Sequence, residues 1–211
     1  MHFRFPGALV LMLIVNCLNA QSVKWNARVG IHNSIARIVD KRTGHNTKTN
    51  SIIGGSASIG LKAEFDKKLF FAPRLQYSMT GYKVPGGQSK PDSSFRIHYL
   101  ELPILLHLDL GRQETHGIFT EFGLSLGGAF KGSVEQNKKS TPLKFSMTQY
   151  NPVNVSAMGS LGYSFLNGLI LEAMYTYGLT SITNGDTKPK IRTFQTGLTI
   201  GYNFKGKPGQ K

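Results

Sequence analysis

Few residues of the sequence have types and spacings that could support catalysis. Gly123–Gly127 reads GLSLG, which matches the G-x-S-x-G pattern around a serine nucleophile. That pattern needs a sharp turn from a strand into a helix and a histidine later in the chain. Ser125 instead lies inside a strand-like alternating stretch, and the last histidine of the sequence is His116. We interpret the match as accidental and expect a protein that is not an enzyme.

The sequence signals for metal and cofactor binding are also weak. His107 and Asp109 lie two residues apart on one face of a predicted strand and could supply two metal ligands, but no further ligand follows at a recognisable spacing. The glycine-rich segment Gly54–Gly60 lacks the lysine and the following helix of a phosphate-binding loop. The sequence therefore predicts no metal and no cofactor.

A set of charged residues alternates with apolar neighbours, so its role depends on the strands that carry it. The set consists of Arg28, Lys62, Glu64, Arg74, Glu101, Glu121 and Glu172. Neighbouring residues of a strand point to opposite faces, so these side chains are predicted to lie on the face opposite the bulky apolar residues.

The elements that position these residues are predicted to be strands. We find no convincing amphipathic helix, whereas runs with a period of two and intervening turn signals predict eight strands. The predicted strands cover 25–36, 52–66, 69–83, 95–110, 116–131, 150–165, 168–180 and 191–204. Long and short connections alternate between them, which places all long loops at one end. This predicts an all-β fold, an eight-stranded antiparallel up-and-down transmembrane β-barrel with short periplasmic turns and long extracellular loops.

The two faces of the predicted strands differ in bulk as well as polarity. In the last strand, the bulky Leu198 and Ile200 alternate with Thr199 and Gly201. Small polar residues suit the narrow interior of an eight-stranded barrel, and bulky apolar residues suit a lipid-facing exterior. The alternative is a soluble lipocalin-like barrel that holds its bulky face inside and binds an apolar ligand.

The stretch FRIHYLELPILLHLDL changes the parity of its apolar residues midway. A proline inside a strand often accompanies a β-bulge, so Pro103 favours one extra residue near Leu100 or Glu101. The bulge would give the lipid face three upstream residues, Phe95, Ile97 and Tyr99. The alternative is that these three lie above the membrane, where parity is not constrained.

The ends of the chain are predicted to lie outside the barrel. Residues 1–20 combine Arg4 with a short apolar run and predict a signal peptide cleaved before Gln21, although Cys17 leaves a lipoprotein site as an alternative. The barrel is predicted over 21–204, followed by a basic tail over 205–211. The formal net charge of +14 would ordinarily suggest nucleic acid, but export removes that partner. We expect Sec-type export to the outer membrane of a Gram-negative bacterium.

Several segments carry a resemblance to a known family. YLELPILLHLDL followed by GIFTEFGLSLGGAF, together with the closing FQTGLTIGYNF, resembles the PorT-like outer-membrane β-barrel proteins of Bacteroidota. The resemblance covers essentially the whole mature chain and implies an outer-membrane barrel. The family's name comes from a member needed for type IX secretion, so the resemblance also implies an accessory role in protein secretion. The basic tail after Phe204 departs from the usual aromatic end of such barrels.

The charged set on the polar face is predicted to form salt bridges inside the lower barrel. Unpaired charges there would be costly, so we expect a cluster that plugs the interior. The alternative is a narrow channel for small solutes or ions. The leading prediction is a structural or interaction protein of the cell envelope.

The predicted extracellular loops are basic. Their residues are Arg37, Lys41, Arg42, Lys48, Lys138, Lys139, Lys144, Lys188 and Lys190. They are either a solvated surface or contacts to the phosphates of lipopolysaccharide. The predicted partners are outer-membrane lipid, lipopolysaccharide and envelope or secretion-machinery proteins.

Overall fold

The computed structural model describes residues 23–40, 43–86, 91–111, 116–137, 139–145, 150–183 and 189–204 of the 211-residue chain. The predicted signal peptide, 1–20, and the predicted basic tail, 205–211, lie outside the described residues. The described residues form eleven strands: β1 (Val23–Val39), β2 (Asn46–Lys48), β3 (Ile52–Asp66), β4 (Leu69–Phe71), β5 (Arg74–Val84), β6 (Ser93–Asp109), β7 (Gly117–Gln136), β8 (Lys139–Pro142), β9 (Val153–Ser164), β10 (Leu169–Gly178) and β11 (Lys190–Asn203). None of the described residues belongs to a helix long and apolar enough to cross a membrane.

The strands form one antiparallel sheet that closes on itself. β1 pairs with β11 on one side and with β3 on the other, and the ring continues through β5, β6, β7, β9 and β10. β4 and β5 are two parts of one barrel strand, because both pair with β3 and β6 and only Ala72 and Pro73 separate them. β2 and β8 are short extensions of the sheet beside β1 and β7. The predicted eight-stranded up-and-down barrel is confirmed.

The connections divide the barrel into a short-turn end and a long-loop end. The short connections between β3 and β4, between β6 and β7, and between β9 and β10 lie at the short-turn end, where Asn26 near the start of β1 pairs with Asn203. In the hairpin between β9 and β10, Gly168 has a φ of +92°, which favours glycine because side chains with a Cβ are strained there. The connections that hold β2 and β8, and those before β6 and β11, lie at the long-loop end.

The outer surface of the barrel is apolar and its middle is polar. Ile53 and Leu198 are 76% and 66% exposed on the outside. Ser34, Ser78 and Ser125 are fully buried inside, as expected where the interior must be filled by small polar side chains. This arrangement is the inverse of a soluble barrel and places the bulky face of the predicted strands outward.

The prediction of a bulge in β6 near Leu100 or Glu101 is wrong. The irregularity lies between His98 and Tyr99, and the extra residue belongs to β7, because His98 pairs with Lys131 and Tyr99 with Ala129. β6 keeps one parity throughout. Consequently Ile97 and Tyr99, only 1% and 2% exposed, face the interior together with the partly buried Phe95, and the prediction that these three face lipid is also wrong. The pattern changes because the interior becomes apolar toward the long-loop end.

Candidate functional site

Four charged side chains from four different strands meet inside the barrel. Arg28 of β1 contacts Glu121 of β7 through both terminal nitrogens, at 3.0 and 3.1 Å, and its Nη1 lies 2.5 Å from Oε2 of Glu172 in β10. Arg74 of β5 also contacts Glu121, and its Nη1 lies 3.8 Å from Oε1 of Glu172. All four side chains are at most 4% exposed. Two positive and two negative charges therefore neutralise each other in this charge network.

A chain of hydrogen bonds extends the charge network toward the short-turn end. His107 Nδ1 lies 2.7 Å from Glu121, and His107 Nε2 lies 2.8 Å from Asp109 Oδ1 and 2.7 Å from Lys62 Nζ. Lys62 Nζ also donates to Asp109 Oδ2 at 3.0 Å. The imidazole stacks on Phe119, with ring centroids 4.7 Å apart. His107 and Asp109 thus belong to a packed polar relay, and among the described residues no three His, Cys, Asp or Glu side chains are grouped to hold a metal.

The structure places the seven charged residues of the predicted set at three levels. Arg28, Arg74, Glu121 and Glu172 form the charge network, and Lys62 joins through His107. Glu64 is half-buried closer to the short-turn end of β3.

Glu101 lies nearer the long-loop end, where it accepts hydrogen bonds from Gln76 Nε2 at 3.0 Å and Ser78 Oγ at 3.3 Å. The sequence analysis placed His107 and Asp109 on one strand face but left them, and Gln76, out of the predicted interior cluster. The missing signal was the register, in which Gln76 pairs with Glu101 and His107 with Glu121.

Two glycines make room for the long arginine side chains. A Cβ at Gly201 would lie 2.6 Å from Cγ of Arg28, and a Cβ at Gly60 would lie 2.6 Å from Cγ of Arg74. Beside the charge network the remaining cavity has a volume of about 10 Å³, which is room for about one water molecule. The interior is therefore filled at this level.

Above the charge network the interior changes from polar to apolar. The hydroxyls of Ser34 and Thr80 form a 2.6 Å hydrogen bond in the polar layer. Beyond them lies a cluster that we name the apolar cap, formed by Ala36, Tyr82, Ile97, Tyr99, Ile182 and Ile191. Leu143, Phe145 and Tyr150, from the connection between β7 and β9, pack against it. Burial raises the pKa of the Tyr150 phenol, because the charged form would lose hydration beside the cap.

The predicted basic loop residues lie at the long-loop end where they are described. Arg37, Lys139, Lys144 and Lys190 are exposed. Lys41, Arg42, Lys138 and Lys188 lie outside the described residues, as does the side chain of Lys48. In the sheet, Arg37 of β1 pairs with Arg192 of β11 on one side and with Lys48 of β2 on the other.

A comparison with known families decides the class of this barrel. Residues 19–184 match the outer membrane protein beta-barrel domain. The chain belongs to this family. It is an outer-membrane protein of a Gram-negative bacterium, with the short-turn end in the periplasm and the long-loop end outside the cell. This confirms the predicted location and leaves the soluble lipocalin-like alternative without support. No curated protein matches the chain.

Several solved outer-membrane structures are similar to this chain at low sequence identity. The outer membrane protein OprG from Pseudomonas aeruginosa is 16% identical, with a TM-score of 0.54 over 88% of this chain and 98% of its own. Neisserial surface protein A is 18% identical, with a TM-score of 0.49 over 84% and 97%. The outer membrane enzyme PagL is 14% identical, with a TM-score of 0.41 over 81% and 98%. These likenesses concern the fold and transfer no activity to this chain.

Proposed function

We propose that this protein is a non-enzymatic outer-membrane barrel with a closed interior, which acts as a structural or interaction protein of the envelope. The observation that carries the proposal is the filling of the interior at two levels. The charge network occupies the periplasmic half, and the apolar cap lies under the extracellular loops.

The energetics of the two levels support a closed interior. A permeating ion would have to displace paired and buried Arg28 and Glu121, which leaves charges uncompensated in a poorly hydrated site. It would then meet the apolar cap, where buried side chains such as Ile97 and Tyr99 offer a charge little solvation. An eight-stranded barrel is only wide enough for its own side chains, so a bypass has no space.

One observation favours the alternative of a narrow path. Among the described residues, Asn26 Oδ1, His32 Nδ1, Ser125 Oγ and Thr176 Oγ1 are buried polar atoms that lack a hydrogen-bond partner. Such atoms suit contacts with interior water, and a connected file of water would conduct protons or small ions. Conductance separates this alternative from the closed barrel.

We expect no stable conductance steps when the folded mature protein is inserted into planar lipid bilayers. Folding is checked first on SDS gels, where the unboiled barrel is expected to migrate differently from the boiled protein. Boiled protein serves as the negative control in the bilayer. Large, stable steps seen with the unboiled protein alone would reject the closed interior and support the channel.

The resemblance of YLELPILLHLDL and the following strand to PorT-like barrels supports a finer proposal, an accessory role in type IX-like secretion. In a host that secretes through such a system, deletion of this protein is expected to reduce secreted cargo in the medium at least severalfold. Restoring the intact gene should recover secretion. Normal secretion without the protein would reject this role and leave the structural proposal in place.

A further inference from the structure

Two arginines lie side by side on the outer face of the barrel near its extracellular rim. Arg37 of β1 and Arg192 of β11 are direct cross-strand partners, and the backbone of Lys48 pairs with Arg37 from the other side. Both arginines have the parity of the exposed outer residues of their strands, such as Ile35 and Leu198. Like charges directly opposite each other destabilise a sheet, so this arginine pair suits a bound anion.

The depth of the arginine pair points to the membrane interface. Two residues toward the periplasm, Ile35 pairs with Phe194, whose ring contacts Tyr177 at a centroid distance of 5.0 Å. Aromatic side chains on the outer surface mark the boundary between lipid and water in such barrels. Further down, the exposed Ile31 and Leu198 form a lipid-facing pair. The arginines therefore lie just above the aromatic residues, at headgroup depth.

In the part of the chain that the structure describes, neutral side chains hold the two guanidinium groups in place. Nε of Arg37 donates to Asn46 Oδ1 at 2.7 Å, and Nη1 of Arg192 lies 3.5 Å from the hydroxyl of Tyr177. Each guanidinium has five N–H donors, and these contacts to neutral groups engage one nitrogen of each.

A third outward-facing arginine has a carboxylate partner on the neighbouring strand. Arg96 of β6 lies on the other side of the barrel, and its Nη1 is 3.2 Å from Oε2 of Glu135 in β7. That arginine is neutralised within the protein, whereas the register places Arg37 opposite a second arginine. The difference makes the arginine pair the better anion site.

We propose that the arginine pair binds a phosphate group of lipid A, the membrane anchor of lipopolysaccharide. Guanidinium groups bind phosphate through paired hydrogen bonds, and lipid A carries its phosphates at headgroup depth above acyl chains. Those chains would lie along the exposed apolar surface below Ile35 and Phe194. This inference goes beyond the closed interior and does not depend on it, because the site is on the outer surface.

The test measures lipid retained by the folded, detergent-solubilised protein in native mass spectrometry. Wild-type protein is expected to retain bisphosphorylated lipid A at least about tenfold more strongly than chemically dephosphorylated lipid A. R37Q/R192Q should lose this preference, and R37K/R192K should keep an intermediate share, because lysine keeps the charge without the paired geometry. The control R96Q/K131Q removes the same net charge on the other side of the barrel, at two positions outside the predicted basic set, and should bind as the wild type does.

Three results would overturn the proposal. One is equal retention of the two lipids by the wild type, which decides the question even if the glutamine variant fails to fold. The second is undiminished preference in a folded R37Q/R192Q protein. The third is displacement of lipid A by millimolar inorganic phosphate, which would assign the site to the free ion. None of these results bears on the conductance of the wild-type protein in bilayers. The lipid A site and the closed interior can therefore be rejected independently of each other.

Discussion

Replacing Glu121 with glutamine is expected to lower the free energy of unfolding by about 3–5 kcal/mol. Glu121 contacts Arg28, Arg74 and His107 inside the barrel. The substitution leaves two buried guanidinium groups with Glu172 as their remaining carboxylate partner in the charge network. An uncompensated buried charge costs more than the lost contacts themselves. Urea unfolding in detergent micelles measures the change, with the single tryptophan, Trp25, as the fluorescent probe on the outer surface.

Two further variants test whether charge balance is the cause. E135Q removes an exposed carboxylate that pairs with Arg96, and it is expected to change stability by less than about 1 kcal/mol. Adding Arg74→Met to Glu121→Gln leaves Arg28 balanced by Glu172 and should recover part of the loss. A double variant less stable than E121Q, or equal losses for E121Q and E135Q, would contradict the proposed neutralisation.

Tyr99→Ala is expected to lower the free energy of unfolding by about 3–5 kcal/mol, as large-to-small changes of buried aromatic residues do. Tyr99 is 2% exposed and belongs to the apolar cap, where the rings of Tyr82 and Phe95 also stack at a centroid distance of 4.8 Å. Removing the ring leaves a cavity that the closed sheet cannot readily collapse. The measurement is the same urea titration.

The matched control is Tyr175→Ala on the outer face of β10, where the side chain is 47% exposed. Lipid or detergent replaces the lost ring there, so the expected loss is about 1 kcal/mol or less. Equal losses of stability at the two positions, or a larger loss at Tyr175, would contradict the burial of Tyr99. The apolar cap would then no longer support a closed interior.

The number and direction of the barrel strands could be predicted from the sequence because they depend on local chemistry, whereas some ends differ, such as that of β7, which reaches Gln136 rather than 131. Period-two alternation repeats within each strand, and turns such as the one at Gly168 are encoded by a few neighbouring residues. The outward direction of the bulky residues could likewise be predicted from the sequence of β11, where Leu198 and Ile200 alternate with Thr199 and Gly201. Each of these features is contained within about fifteen residues of sequence.

The composition of the charge network could be predicted only in part. Inward parity selected Arg28, Arg74, Glu121 and Glu172, but parity does not say which of them touch. Arg28 lies 93 residues from Glu121 and 144 from Glu172 along the chain, and these distances are closed only by the register of neighbouring strands and by the pairing of β1 with β11. The same register brought in His107 opposite Glu121.

The direction of Phe95, Ile97 and Tyr99 was decided by the tertiary structure alone. Alternation reports that two faces differ in polarity, and it gives the inner face only where the polarity of the interior is known. Around the charge network most inward positions are polar, so apolar residues such as Leu102 and Ile104 point outward. Near the loops the interior is apolar, so the same strand points its apolar residues inward without any change in register. Local alternation therefore defines the strands and their two faces, whereas closure of the sheet decides which face is buried, because only closure sets whether a face meets lipid, polar side chains or the apolar cap.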